Sequence, residues 1–213
     1  MLAEAMPSPN RTQIRNSLSD AIHTLSKTEE THENPTKNLP PVFSNTAVHI
    51  PLVQAVLTSC KSHVKTWSAQ DEQSTHEVGR ILVQCNKKVT RLDDIFQGVI
   101  ESSDAVQQYP RVAQGIGLEI VMRDILQNAI ELAMSPLFAK DNAISSQIEE
   151  LGEALRQVNM IPSSLPGVSH KFHNSGSGSM HVNTGSGSQN NNTGKGFQFN
   201  GPVNGLNIAR NGV

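Results

Sequence analysis

The chain has 213 residues, with 17 Lys and Arg against 19 Asp and Glu and a net charge of −2. At 36% hydrophobic and 4% aromatic it holds enough apolar material for one domain and a tail. The balance excludes a binder of duplex nucleic acid, which needs clustered Lys and Arg to displace counterions, and no run of 18 apolar residues provides a spanning helix.

Ile14, Leu18, Ile22 and Leu25 recur at helical spacing and predict a first helix over 11–30, with Ser8 or Asn10 as its cap. Residues 32–41 (HENPTKNLPP) read as a polar, proline-rich linker. A second helix is expected over 44–67, with an apolar stripe of Val53, Leu57, Cys60, Val64 and Trp67. Pro51 should kink it or mark its first turn. Ser74 to Glu77 reads as a capping box, opening a third helix. Its apolar face runs from Val78 through Leu82, Val89 and Ile95 to Val99. A fourth helical region starts near Ser103, is disturbed at Pro110, Gly115 and Gly117, and continues to Met134. Within it, 118–134 (LEIVMRDILQNAIELAM) is apolar nearly all round, as a central bundle helix should be. A last helix over 142–158 carries Ile144, Ile148, Leu151, Leu155 and Val158. The expected fold is mainly α: an antiparallel helical bundle over 1–160, then a linker over 161–173.

From 174 to 213 the composition is different. All 19 acidic residues lie at or before Glu153, and after Met160 only Lys171, Lys195 and Arg210 are charged. The tail is rich in Gly, Asn and Ser, and it repeats. The pattern N-[ST]-G-x-G-x-[MQ]-x-x begins at Asn174, Asn183 and Asn192, a strict nine-residue period. Its fixed positions are Asn174, Gly176 and Gly178, then Asn183, Gly185, Gly187 and Gln189, then Asn192, Gly194 and Gly196. Phe197, Gln198, Phe199 and Asn200 complete the third unit. A calcium nonapeptide needs a carboxylate in every repeat, and there is none. A phosphate-binding loop fails because Gly196 follows Lys195 where Ser or Thr is needed. The glycine triplets turn without steric cost, and the pairs Met180/Val182 and Phe197/Phe199 alternate as strand residues do. Asn and Gln amides can ladder between identical chains stacked in register. The tail is therefore expected to be disordered in the monomer and competent for homotypic amyloid assembly, the alternative being a flexible polar tail with no assembly.

The candidate sites are few. His170, His173 and His181 are close in sequence but lack a second ligand cluster, so neither a metal nor any other cofactor is expected. Asp93 and Asp94 read as a solvated charged face. His49, His63 and His76 read as partly exposed helix residues. Arg80, Lys87, Lys88 and Arg91 share one side of the third helix at spacings of three, four and seven. They form a plain solvated face or, alternatively, a candidate partner-docking or membrane surface. No grouping of nucleophile, base and acid stands out, so no enzyme is expected. Cys60 and Cys85 fall on apolar faces and no secretion signal precedes them. Reduced thiols and a cytoplasmic location follow.

NTGSGSQNNNTGKGFQFNGPV, from Asn183 to Val203, resembles the amyloid signalling motifs of filamentous fungi, of the sigma and pseudopalindromic types. The first repeat departs from the pattern, with Met180 where Gln recurs. HIPLVQAVLTSCKSHV (His49 to Val64) and VQCNKKVTRLDDIFQGVI (Val83 to Ile100) resemble the fungal SesA-type domain at the N-terminus of NACHT NTPases, as does VMRDILQNAIELA (Val121 to Ala133) more weakly. That likeness covers 40–135. Together the two resemblances imply an adaptor or effector in programmed cell death or heterokaryon incompatibility. A separate NACHT-type receptor with a matching motif would template the tail. One rival is a bundle that executes death at the plasma membrane after activation, kept alive by the apolarity of 118–134. Another is a tail that binds single-stranded RNA, disfavoured because three bases make a poor phosphate track.

Overall fold

The computed structural model describes residues 9–33, 39–65, 67, 72–139 and 141–165, and within these the chain forms seven helices and no strand. The chain divides after Gly167, and everything described lies in the first unit.

Helix α1 (Arg11–Glu33) starts on a reciprocal cap. The Asn10 side-chain oxygen accepts the Gln13 N–H at 2.9 Å, and the Gln13 oxygen accepts the Asn10 N–H at 2.7 Å. Two donors that the first turn cannot satisfy are thereby paired. Where one helix was expected over 44–67 there are two, α2 (Pro41–Ala47) and α3 (Ile50–Val64). Pro41 and Pro51 each sit in a first turn, where a missing N–H costs nothing. The Thr46 hydroxyl bonds the Val42 and Phe43 carbonyls at the junction. The proline thus begins a helix instead of kinking one.

Helix α4 (Glu72–Ile100) has 29 residues and spans about 43 Å. It begins two residues ahead of Ser74, which lies buried inside its first turn, so the expected capping box is not where the helix starts. Helix α5 (Ala105–Ala113) is capped by Asp104, whose carboxylate accepts the Gln107 N–H at 3.0 Å. It ends at Gln114, held left-handed at φ 51°, with Gly115 following at φ 83°. Helix α6 (Leu118–Met134) matches the all-round apolar stretch, and α7 (Asn142–Asn159) is capped by Asp141.

The core is continuous. Ile14, Leu18 and Leu25 of α1, Leu57 and Cys60 of α3, and Leu82, Leu92 and Phe96 of α4 are fully buried with most of α6. Phe43 of α2 stands edge-on to Phe96 and Tyr109, at centroid distances of 4.8 and 5.3 Å. Phe138 packs against Trp67 at 5.3 Å and His63 at 5.9 Å.

Helices α1 and α3 are antiparallel: Arg11 reaches the Trp67 carbonyl, and Ser26 meets Gln54. Helices α1 and α4 are parallel. Ser17 faces Asn86, Thr28 faces Asp93 and Thr31 faces Gln97. The bundle is therefore not antiparallel throughout. Helix α3 makes the return passage, so the long helix after it runs as α1 does. Asp93 is the hub of this pairing, 13% exposed, accepting from Lys27 at 3.0 Å and from Thr28 at 3.2 Å. It is not part of the solvated face expected for it; Asp94 is exposed.

Candidate functional site

The nonapeptide positions from Asn174 to Asn200, and the histidines at 170, 173 and 181, lie outside the described residues. What the structure describes is the body up to Leu165, and with it the surfaces that a partner could meet.

The basic row on α4 divides in two. Lys88 pairs with Asp124 of α6 at 2.6 Å. The Arg91 guanidinium donates to the Val112 and Ala113 carbonyls at 2.7 and 2.8 Å, closing the C-terminal end of α5. A cation there meets both the orphan carbonyls and the negative end of the helix. These two side chains are engaged in holding the body together. Arg80 and Lys87 are exposed, and with His76 they edge a groove between α1 and α4. Of the four residues grouped by sequence, only Arg80 and Lys87 present an available charge.

A polar relay sits where the body ends. The Leu118 N–H donates to the Tyr109 hydroxyl at 2.9 Å. That hydroxyl lies 2.6 Å from Ser164 Oγ. Ser164 Oγ in turn meets the Glu119 carboxylate, whose other oxygen accepts the Ser164 N–H at 3.1 Å. A carboxylate only accepts, so Ser164 donates to Glu119 and Tyr109 donates to Ser164. Burial pushes the Tyr109 phenol above its ordinary pKa, the nearby Glu119 charge acts in the same direction, and the Leu118 N–H that the oxygen accepts opposes them. It is therefore the neutral donor that the relay requires. Glu119 is 2% exposed and stands in the first turn of α6, where the helix field favours a negative charge. The short loop before α6 is shaped to it, since a Cβ on Gly117 would collide with the Glu119 carboxylate. Sequence reasoning passed over Glu119. The signal was available: it is the one acid in the first five residues of a helix that is apolar nearly all round.

His63 Nδ1 lies 3.0 Å from Asp141, joining the end of α3 to the start of α7. Desolvation works to raise the Asp141 pKa, but hydrogen bonds from His63 and from the Ile144 and Ala143 N–H groups outweigh it and hold the carboxyl below its usual value. His49 is buried, not part-exposed, and burial lowers its pKa. Cys60 and Cys85 are fully buried free thiols, each pushed up to about 12, chiefly by desolvation. No helix among the described residues is long and apolar enough to cross a membrane, and α6, the candidate for release, has 17 residues.

Two family models match the chain. SesA, described as the N-terminal domain on NACHT and P-loop NTPases, matches residues 12–132, more than half the chain. The sigma domain on NACHT NTPases matches residues 169–206. No curated protein and no solved structure matches significantly. The SesA match spans α1 to most of α6, and the sigma match contains the three nonapeptides.

Proposed function

We propose, for a chain that belongs to the SesA family of N-terminal domains on NACHT and P-loop NTPases, a non-enzymatic role as a cell-death or incompatibility adaptor. Both of its modules occur on NACHT-associated signalling proteins, and here they stand in one chain, body first and sigma motif second. That arrangement carries the proposal. A NACHT-type receptor with a matching motif templates the tail, the repeats stack as cross-β strands, and assembly concentrates the helical bodies into an active cluster.

The third repeat controls stacking. Phe197 and Phe199 are two residues apart and share one strand face, so each layer buries both, at about 25 cal/mol per Å² of apolar area removed from water. Gln198, Asn192 and Asn200 supply side-chain ladders.

The test is seeded growth of the full chain from fibrils of a peptide covering the matched 169–206 segment. Growth should shorten the lag and yield a meridional reflection near ~4.7 Å. Phe197→Ser with Phe199→Ser removes the buried faces and should abolish extension from parent seeds. Gln198→Pro, which loses a backbone donor, should do the same. Helical content of the body should be unaffected in all of them. A parent chain that never gives the cross-β spacing, seeded or not, would sink the proposal. Assembled protein that leaks anionic vesicles would add an executioner role to the adaptor one.

A further inference from the structure

The groove between α1 and α4 has a volume of about 460 Å³, within the range of about 300–1,000 Å³ usual for ligand sites. Its floor is apolar, with Ile14 and Leu82 buried and Val83 52% exposed among polar neighbours. One end is closed by Pro9, whose ring lies on Gly79 so closely that a Cβ there would collide with it. The cations around it are Arg80 and Lys87, with His76 beside them, and no Asp or Glu lines it. None of these three makes an ion pair among the described residues, unlike Lys88 nearby.

From these features we infer that the groove docks an acidic amphipathic helix of a partner protein. The sign of the charge comes first. Residues 1–160 carry all 19 acids against 14 bases, so a groove lined by Arg80 and Lys87 and by no acid is a local exception that steers a negative partner, with Glu77 one turn away outside the lining. The spacing comes second. Arg80 and Lys87 are seven residues apart, a rise of about 10.5 Å along α4. Two cations on one line of a helix suit two carboxylates at the same separation better than one phosphate, which calls for cations converging on a point. A helix with acids at i and i+7 has that separation, and apolar residues at i+3 and i+4 would then lie over Val83 and Ile14. The inference stands apart from the tail and its templating, since every residue it uses lies on the body.

The experiment measures binding of labelled synthetic helices of about 16 residues to the full chain by fluorescence anisotropy. The set keeps one composition and places two Glu four, seven, eight or eleven residues apart, with Leu between them. The peptide with spacing seven should bind tightest, and more weakly as salt rises from about 50 to 150 mM. Arg80→Glu with Lys87→Glu should weaken it at least about ten-fold, and a Lys-for-Glu peptide should bind that variant instead. Val83→Ser, which removes the apolar contact without adding charge, should weaken both. Arg80→Gln with Lys87→Gln serves if the reversal does not fold, and unchanged thermal melting identifies variants with an intact body. Absence of binding by every peptide up to about 1 mM would overturn the inference. So would equal binding to parent and reversed variant. Two further outcomes would also refute it: phosphatidylserine vesicles that capture the parent through Arg80 and Lys87 while the peptides stay unbound, or a self-association that the reversal abolishes.

Discussion

Phe43 gives the sharpest test of how α2 is held. It is fully buried on a seven-residue helix, with its ring edge-on to Phe96 of α4 and Tyr109 of α5. A helix that short has no stability of its own, so packing must supply it. Truncating a buried Phe to Ala costs about 3–5 kcal/mol, and aromatic edge contacts of about 0.5–1.5 kcal/mol each place this site towards the middle or upper part of that range. We take about 4 kcal/mol. A domain of this size has about 5–15 kcal/mol in all, so Phe43→Ala should remain folded but weakened. With a urea slope of about 2 kcal/mol per M, its midpoint should fall by about 2 M at unchanged slope. Phe43→Leu keeps most of the volume and should lose less than about 1.5 kcal/mol. Val106→Ala, at a position 66% exposed, should stay within about 0.5 kcal/mol of the parent. Far-UV circular dichroism of the full chain in urea reads all three. If Phe43→Ala shifts the midpoint no more than Val106→Ala does, α2 is not anchored as described.

Other expectations follow from single contacts. Asp104→Ala removes the cap of α5 and should cost about 1 kcal/mol by the same urea assay, while Asp104→Asn should restore most of it. Gly117→Ala drives a Cβ into the Glu119 carboxylate, so the Ser164 amide should exchange with solvent markedly faster than in the parent; unchanged protection would contradict the relay. The native thiols should resist alkylation near neutral pH and react quickly once urea unfolds the body, because both are raised to about 12. The sign of the linked pH effect is set by the raised native pKa. The contribution is fully present below the unfolded thiol pKa near ~8.5–9 and is lost as pH rises from there towards 12. Melting temperature should accordingly decline in the alkaline range, and alkylation that is rapid in the native state would refute the burial of these groups.

Helix positions were legible because apolar residues recurred at helical spacing. Leu118 to Met134 could be read directly, as could the last helix, whose Asp141 cap precedes a clear stripe. The break between α2 and α3 was not, since Val48 and His49 continue the apolar rhythm and Pro51 can be read two ways. Tertiary packing decides it, through Phe43 and the Thr46 hydroxyl. The start of α4 is hidden in the sequence because Ser, Thr and Glu at capping spacing also occur within helices. Relations between helices were illegible: nothing local says that Asp93 will meet Lys27 and Thr28, or that Arg91 will close α5. The basic row looks like one surface in the sequence because spacing reports the face of a helix and not what each side chain reaches. Glu119 was hidden for the reverse reason, an isolated charge in an apolar run whose partner, Ser164, lies 45 residues away.

The parallel pairing of α1 and α4 bears on how the chain is made. A ribosome adds about 5–20 residues per second, and Gln97 is synthesised 66 residues after its partner Thr31. For roughly 3–13 s at that pace, the emerging first helix has an apolar stripe and no fourth helix to cover it. Helix α3 arrives sooner and runs back along α1, so the first helix has one packing partner on hand before the longer one is complete.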